Sequence, residues 1–517
     1  MTVRGIQLLL PDGLSASAVA DALAGEVPIV TQRAHVVQRT FWDSFDGRVH
    51  EAGLALISGA GRLILADATT YVQAAGAERL PTVRPRRLLV DELPPGELRE
   101  RLAPLLAMRA ATPIARVHSR LLGVSVLDDE SKTVVRLRVE ECSARLDGDT
   151  SVALRPRLHV AGVRGYDEDL ERVRTLLTAT LGLGEAARPV QDDAVAAVGG
   201  TPGGVSSKLR VKLRADQRAD VAAVVVLREL LATIEANLPG TIADVDSEFL
   251  HDLRVSIRRT RALQRELEAV FEPEQLRRFR DGFKELQRIT GPTRDLDVQL
   301  LEFDELARDL PATIAPDVAP LRALLAERRS AERRGMVRAL RSEPVRALLD
   351  DWSAFLDGLT ESGVAGRPDA ARPVGAVAGR RIAKVYKRMV RMGSAIDGAS
   401  PPGALHDLRK KGKELRYLLE LFSSLFPAEV VKPMVGALKA LQDVLGRFQD
   451  REVQAAQLRS LGDDVAALDG GAAALMAMGV LVQRLGDDQG RAREQFAERF
   501  ERFAASDQRE LVKRTFS

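Results

Sequence analysis

The sequence predicts an α+β protein with two domains, because the two parts of the chain differ in periodicity. The first part, about residues 1–185, contains short alternating or β-branched segments separated by Gly, Asp and Pro, a pattern typical of strands. From about residue 208 onward, almost every segment has the period of an amphipathic helix. The chain has 517 residues, 45% of them hydrophobic, which is enough to form more than one core.

The pattern of the first part predicts seven strands and three helices. The strands are expected at 3–10, 35–42, 53–59, 61–67, 115–127, 133–142 and 152–163. The helices are expected at 15–25, at 92–109, where two prolines lie near the start, and at 167–183. Residues 186–207 are rich in Ala, Gly, Pro and Val with little pattern, and we interpret them as a linker.

Residues 208–510 are predicted to form antiparallel helical bundles, because long periodic segments are joined by short turns. Proline-containing stretches, such as those at 291–295 and 400–407, fall between the periodic segments. We expect two repeats of about four helices each, the first at about 208–345 and the second at about 370–510.

An internal repeat supports this division of the helical part. The segment HDLRVSIRRTRALQRELEAVF begins at His251, and HDLRKKGKELRYLLELF begins at His406. Further identities lie at equal distances from the two histidines: Lys284 and Lys439, Gln287 and Gln442, Gly291 and Gly446, and Asp295 and Asp450. Identities that stay in register over this span indicate a duplicated helical unit.

Each copy of the repeat carries a row of cations along one side of a helix. At about 100° per residue, the first row falls within a sector of about 80°, opposite an apolar face. The first row is His251, Arg254, Arg258, Arg261 and Arg265, and the second is His406, Arg409, Lys413 and Arg416. A solvated helix face usually mixes signs, whereas these rows are nearly of one sign. They therefore predict an anion-binding surface, with an ordinary solvated face as the alternative.

Further cations are expected to join this surface. Four of them share a narrow face of the helix before the second histidine, and two lie in the first copy. They are Arg380, Lys384, Lys387 and Arg391, and Arg329 and Arg333. We interpret Asp295 and Asp450 as caps or as partners of the basic rows. For the two histidines, the alternative role is to satisfy the end of a neighbouring helix.

Composition narrows the class of protein. The formal net charge is only +3, so the positive charge that matters is local. The single cysteine, Cys142, excludes an intramolecular disulfide and a cysteine-based zinc site, and suits a reducing cytoplasm. No apolar run is long enough to span a bilayer, and the first residues make a poor signal peptide. Aromatic residues are 4%, which disfavours stacking on nucleic-acid bases.

The two HDLR helices, each followed by a Gly-x-x-x-Asp turn, resemble a CHAD domain over roughly residues 208–510. The resemblance implies an all-α pair of four-helix bundles with pseudo-twofold symmetry, and a basic surface that binds inorganic polyphosphate. Carried over by position, the ligand-facing residues would be His251, Arg254, Arg258, Arg261, Lys284, His406, Arg409, Lys413, Arg416 and Lys439. Rows of Arg and Lys suit such a polymer, because they neutralise phosphates and release counterions.

The first part is similar to CYTH domains, the triphosphate tunnel metalloenzymes, through the stretch TFWDSFDGRVHEAGLALISG at 40–59. This resemblance covers about residues 1–185 and implies an antiparallel β-barrel or tunnel. The acidic and basic groups that the family uses for metal and phosphate are replaced by Val3, Gly5, Gln7, Ile57 and Gly59. We therefore expect a catalytically inactive CYTH-like domain. Two further arginines, Arg136 and Arg138, are expected either to line a residual basic tunnel or to face solvent.

The predicted function is binding of inorganic polyphosphate, without cofactor, metal or catalytic residues, in the cytoplasm and at polyphosphate granules. One alternative is a CYTH-type metal-dependent triphosphatase, against which the missing carboxylates argue. A second alternative is a protein that binds the backbone of a nucleic acid, which low aromatic content and small net charge disfavour.

Overall fold

The computed structural model describes residues 5–69, 73–79, 86–146, 150–207, 209, 211–308, 310–361 and 363–516. The chain divides into two compact units, Met1–Ser207 and Lys208–Ser517. The first unit is built on an antiparallel sheet and the second is helical, so the predicted α+β class with two domains is confirmed. Val3 lies outside the described residues. No described helix is both long and apolar enough to cross a membrane.

The strands of the first unit include all seven that alternation predicted. Their bounds are β1 Gly5–Leu9, β2 Ile29–Thr31, β3 His35–Asp43, β4 Leu54–Gly59, β5 Arg62–Asp67, β6 Gln73–Arg79, β7 Thr112–Leu127, β8 Thr133–Arg145, β9 Val152–Ala153, β10 Arg157–Gly162 and β11 Gly184–Glu185. The sequence pattern did not indicate β2, β6 or β11, and the single strand predicted at 152–163 is divided into β9 and β10.

The sheet is open, which corrects the predicted closed barrel or tunnel. The strand order is β11-β1-β10-β8-β7-β3-β4-β5-β6, with β2 added on β7 and β9 on β8, and all pairs are antiparallel. Within the described ranges, no pairing joins β6 to β11. A barrel closes only when the two end strands of its sheet form hydrogen bonds with each other. Here the end strand β11 has only two residues, and the strand it pairs with is β1.

Five α-helices accompany the sheet in the described part of the first unit. They are α1 Ala16–Ala24, α2 Arg48–Glu51, α3 Glu97–Leu106, α4 Asp167–Thr175, which continues into a π-helical turn at Leu176–Thr180, and α5 Val190–Ala197. The last lies inside the predicted linker. Its residues Val190, Ala194 and Val195 are buried in a core shared with Phe41 and Ala115. The segment 186–207 is therefore partly integrated into the fold, because small apolar residues pack closely even without a long amphipathic period.

A buried ionic network crosses the middle of the sheet. The carboxylate of Glu140 on β8 is 1% exposed and pairs with Arg39 on β3. It also accepts hydrogen bonds from Ser119 at 2.6 Å and from Nε2 of His159 at 2.6 Å. Burial opposes ionisation of Glu140, but the bond from His159 and the charges of Arg39 and His159 outweigh it and lower its pKa to about 2.

The helices of the second unit begin after residue 218. Their bounds are α6 Ala219–Ala243, α7 Ser247–Glu266, α8 Pro273–Ile289, α9 Gly291–Arg308, α10 Ala319–Leu340, α11 Glu343–Leu359, α12 Val374–Gly393, α13 Pro402–Leu421, α14 Ala428–Ser460, α15 Gly462–Ala466, α16 Gly471–Phe503 and α17 Ser506–Phe516. The first repeat thus spans α6–α11 and the second α12–α17, so each uses more helices than the four expected.

The two repeats differ at one break. The segment that forms α8 and α9 in the first copy forms the single helix α14 in the second. Pro292, which has no backbone N–H, stands at the break, and the corresponding residue after the second histidine is Arg447. Since proline removes a helical hydrogen bond, it accounts for the interruption. The stretch 291–295 was expected to separate two helices, and it does lie at a helix boundary. Only one residue, Thr290, separates the end of α8 from the start of α9.

The hydrophobic cores of the second unit are built by both repeats. One extends without interruption from α6, α7, α8 and α11 to α12, α13, α14 and α17. Another joins α9 and α10 to the end of α14 and the start of α16. The expectation of two four-helix bundles is therefore refined, because the bundles share their apolar interior instead of each having its own.

Candidate anion-binding site

The two cationic rows lie on α7 and α13, which hold the equivalent segments of the two repeats. Helix α7 begins at a cap, where the carboxylate of Asp246 accepts hydrogen bonds from the backbone N–H groups of Glu248 at 2.9 Å and Phe249 at 3.2 Å. Gly240 on α6 lets α7 approach, since a Cβ there would lie 2.2 Å from the ring of Phe249. The buried side of α7 and α13 is the predicted apolar one, so the rows point away from the core.

The two histidines make equivalent contacts with different partners. In the first repeat, Arg294 donates a hydrogen bond to Nδ1 of His251 at 3.0 Å. In the second, Nδ1 of His406 lies 2.6 Å from Oε1 of Gln449. Arg294 and Gln449 stand at equal distances after the two histidines. The geometry of the repeat is thus preserved while the chemistry of the partner changes.

The next position in each row is an arginine held by the helix that packs beside it. Arg254 donates to the carbonyl oxygen of Gln287 at 2.9 Å and to the hydroxyl of Thr290 at 3.0 Å. Arg409 pairs with Asp450 at 2.9 Å. Burial, together with the nearby cations, lowers the pKa of Arg254 to about 10.

The centre of the site is a pair of cations that form no ion pair with a described carboxylate. Arg258 and Lys413 occupy the same position in the two rows, and neither makes an ion pair within the described part of the chain. Both are half-buried, and Nε of Arg258 is buried without a hydrogen-bond partner. Burial, together with the charges of Arg409 and Arg258, lowers the pKa of Lys413 to about 8, although the charge of Asp450 acts in the opposite direction. Burying a cation without a counterion costs folding free energy. A bound anion would therefore stabilise the fold most beside Arg258 and Lys413.

The far end of each row is held by glutamines and glutamates. Arg261 donates to Oε1 of Gln287, and burial lowers its pKa. Arg416 pairs with Glu420 at 2.6 Å and lies 3.4 Å from Oε1 of Gln442. A row of this kind retains donors toward solvent, because each guanidinium has more N–H groups than these contacts use.

Other predicted site residues divide into two groups. Several are neutralised by carboxylates, whereas the exposed lysines Lys284, Lys439, Lys384 and Lys387, and Arg391, make no ion pair with a described residue. The neutralised ones are Arg265, with Glu266 at 2.7 Å, Arg329, with Asp244 at 2.6 Å and Asp297 at 2.7 Å, Arg333, with Asp244 at 3.2 Å, and Arg380, with Asp369 at 2.7 Å. Arg329 and Arg333 hold α10 against the end of α6.

Arg294, Gln449 and Thr290 belong to the site but escaped the sequence prediction. Two of them follow the histidines at equal distances and stand one residue before Asp295 and Asp450. That shared spacing was available as a signal, but the identity of the residues differs between the copies. Among described residues, no three His, Cys, Asp or Glu side chains come together as a metal site.

Comparisons with known proteins identify the helical part. Residues 225–459 match the family model of the CHAD domain. The matched segment contains both histidines and both cationic rows. The second unit therefore contains a CHAD domain, and the match does not extend into the first unit.

Two solved structures are among those similar to the chain. The crystal structure of the CHAD domain from the plant Ricinus communis is 22% identical, with a TM-score of 0.43, and the match covers 59% of this chain and 95% of that one. PptA from Streptomyces chartreusis is 18% identical, with a TM-score of 0.41, and the match covers 55% of this chain and 99% of that one. No curated protein matches the chain.

Proposed function

We propose that the second unit binds inorganic polyphosphate along the rows on α7 and α13. The observation that carries the proposal is the central pair Arg258 and Lys413. Both are half-buried and form no ion pair with a described carboxylate, and Arg258 lies close enough to contribute to the lowered pKa of Lys413. Polyphosphate presents closely spaced negative charges and no bases, which suits such a surface better than a folded protein partner does. The resemblance to CHAD domains points to the same ligand.

A polymer fits this site better than a single phosphate does. Arg258 and Lys413 hold equivalent positions in the two rows and lie within electrostatic range of each other, so one extended anion could contact both rows. Each row then raises the effective concentration of the ligand for the other. Long chains should therefore bind much more tightly than short ones.

The direct test measures binding of the full chain to long-chain polyphosphate, DNA, RNA and ATP at one fixed salt concentration, without added metal. We expect polyphosphate to bind most tightly, and its affinity to fall steeply with salt as counterions are released. Tighter binding of DNA or RNA would favour a nucleic-acid binder instead. Binding that salt leaves unchanged, or that strictly requires Mg²⁺, would contradict the proposal.

Two triple variants test whether both rows take part. One is Arg254→Ala with Arg258→Ala and Arg261→Ala, and the other is Arg409→Ala with Lys413→Ala and Arg416→Ala. The matched control removes three exposed cations of the same unit, as Arg277→Ala with Arg288→Ala and Arg346→Ala. Each row variant should weaken long chains far more than short ones, and the control should change both little. If one row variant binds normally and the other not at all, the site belongs to one repeat.

We further propose that the first unit does not hydrolyse triphosphates. Ile57 is 4% exposed and packs in a core, and Gln7 accepts a hydrogen bond from Arg157 at 2.9 Å, so both positions serve the fold. Arg136 and Arg138 are exposed. Phosphate release from triphosphate and ATP with Mg²⁺ or Mn²⁺ is the measurement. Turnover in the usual enzyme range of about 1–1000 per second would refute this proposal.

A further inference from the structure

The hydrogen bonds of Gln449 determine how His406 can meet an anion. Nε2 of Gln449 donates to Glu452 at 3.2 Å, and a carboxylate only accepts, so this bond orients the amide. Its Oε1 then points at His406 and accepts a hydrogen bond from Nδ1–H at 2.6 Å. With the proton on Nδ1, Nε2 of a neutral His406 is an acceptor. It can donate to a phosphate oxygen only when the imidazole is doubly protonated.

The first repeat has the opposite arrangement. Arg294 has only donors, so Nδ1 of His251 accepts its hydrogen bond and carries no proton. Neutral His251 therefore holds its proton on Nε2. Protonation of Nδ1 would break this bond and set two cations against each other. An anion that meets His251 thus meets an N–H group without any uptake of a proton.

We propose that Gln449 and Arg294 are positioning residues that make anion binding proton-coupled at His406 but not at His251. The inference rests on the proposed binding of polyphosphate and adds that the two repeats engage it differently. Along α13, the charged neighbours of His406 are Asp407, Arg409 and Lys410. On α14, Asp450 pairs with Arg409 and Glu452 accepts the hydrogen bond of Gln449. Further along the rows, Arg258 on α7 acts on Lys413, and before α13 Arg493 on α16 donates to the carbonyl oxygen of Ser400. A bound phosphate adds negative charge to this group and favours the imidazolium.

The tautomers can be tested first in the unliganded full chain. Nitrogen NMR of imidazole-labelled histidine, assigned with His251→Gln and His406→Gln, distinguishes a protonated Nδ1 from a protonated Nε2. We expect the Nδ1–H form at His406 and the Nε2–H form at His251. The same tautomer at both positions would overturn the proposal before any ligand is added.

The proton linkage is then measured by calorimetry of long-chain polyphosphate binding in buffers that differ in ionisation enthalpy. In mildly acidic buffers, the unaltered chain should take up a fraction of one proton per site. Gln449→Arg, which copies the first repeat, should lower this uptake, and Arg294→Gln should raise it. Gln457→Arg adds the same charge further along α14 and should leave the uptake unchanged.

The outcomes separate the two proposals. Tight binding with equal proton uptake in the unaltered chain, Gln449→Arg and Arg294→Gln would overturn the inference and leave polyphosphate binding intact. Absence of binding by the unaltered chain would overturn both. A Gln449→Arg protein with unchanged uptake but a changed His406 tautomer would show that the histidine is not in contact with the anion, which also contradicts the proposal.

Discussion

Nη2 of Arg259 on α7 lies 2.9 Å from Oε2 of Glu420 on α13, and this ion pair has a reciprocal partner. Arg265 on α7 lies 3.6 Å from Glu414 on α13. Arg259 and Glu414 occupy the same place after the two histidines, as do Arg265 and Glu420. A contact that recurs with its two positions exchanged is what a twofold relation between the helices produces. The charges of the two helices are complementary in both contacts, because the arginines lie on α7 and the glutamates on α13.

A double-mutant cycle should detect the coupling of Arg259 and Glu420. The pair is largely buried, at 16% and 24% exposed, so we expect a coupling free energy of about 1–2 kcal/mol between Arg259→Gln and Glu420→Gln. Chemical denaturation of the four proteins measures it. The exposed pair Arg277 and Glu274, treated in the same way, should couple by less than about 0.5 kcal/mol. Equal coupling in the two cycles would show that the contact between α7 and α13 is not stabilising.

Lys413→Met should weaken polyphosphate binding and stabilise the second unit. At neutral pH the folded state bears a charge that burial disfavours, so its removal should raise the free energy of unfolding by about 1–3 kcal/mol. Between the depressed folded pKa of about 8 and the ordinary value of 10.5, the unfolded state binds more protons, so the unaltered protein gains stability as pH rises. The advantage of the variant should shrink over that window. Denaturation at several pH values measures it, with exposed Lys432→Met as the control.

Stability that rises while affinity falls would identify Lys413 as a residue kept for binding. A Lys413→Met protein that is less stable at neutral pH than the unaltered chain would show that the charge is compensated in the fold. Unchanged affinity for long chains in a folded variant would place the ligand elsewhere.

Glu140→Gln should destabilise the first unit in a pH-dependent way. The change leaves Arg39 and His159 without their buried carboxylate, which is expected to cost about 2–4 kcal/mol. The contribution of Glu140 is fully present above its ordinary pKa of 4.5 and is lost as pH falls toward about 2, so the variant and the unaltered protein should converge in acid.

Fluorescence of Trp42 reports the first unit alone once Trp352 is changed to Phe, because the chain has only two tryptophans. Exposed Glu130→Gln serves as the control and should shift the midpoint little. A Glu140→Gln midpoint that is displaced equally at all pH values would mean that the ionised carboxylate is not the stabilising form.

The thiol of Cys142 should be inert in the native protein. It is 8% exposed, and burial with the nearby charge of Glu140 raises its pKa to about 12. Alkylation at neutral pH should therefore be at least about a hundredfold slower than in the denatured chain. Mass spectrometry of iodoacetamide-treated protein gives the rate directly, since this is the only cysteine. Rapid native labelling would indicate that β8 opens at this position.

The sequence by itself determined the two domains, the seven longer strand segments, the duplicated helices and the nearly single sign of each cationic row. These features follow from local periodicity. Periodicity predicts which face of a segment is buried, but it does not predict which other segment packs against that face. Arg258 and Lys413 were recognised as equivalent in this way. Val190 and Ala194 were missed because the small apolar residues of 186–207 show no long period.

Only the tertiary structure decided which cations remain without a counterion. Arg329 and Arg333 reach Asp244 across long stretches of chain, so no local pattern could show that these arginines are neutralised. The open edge of the sheet depended likewise on whether β6 meets β11. The opposite tautomers that we propose for His251 and His406 depend on one residue each, Arg294 and Gln449. Their side chains meet the rings only after α9 and α14 have packed on α7 and α13. Ion pairing and hydrogen bonding act between residues distant in sequence, and their partners exist only once the fold has formed.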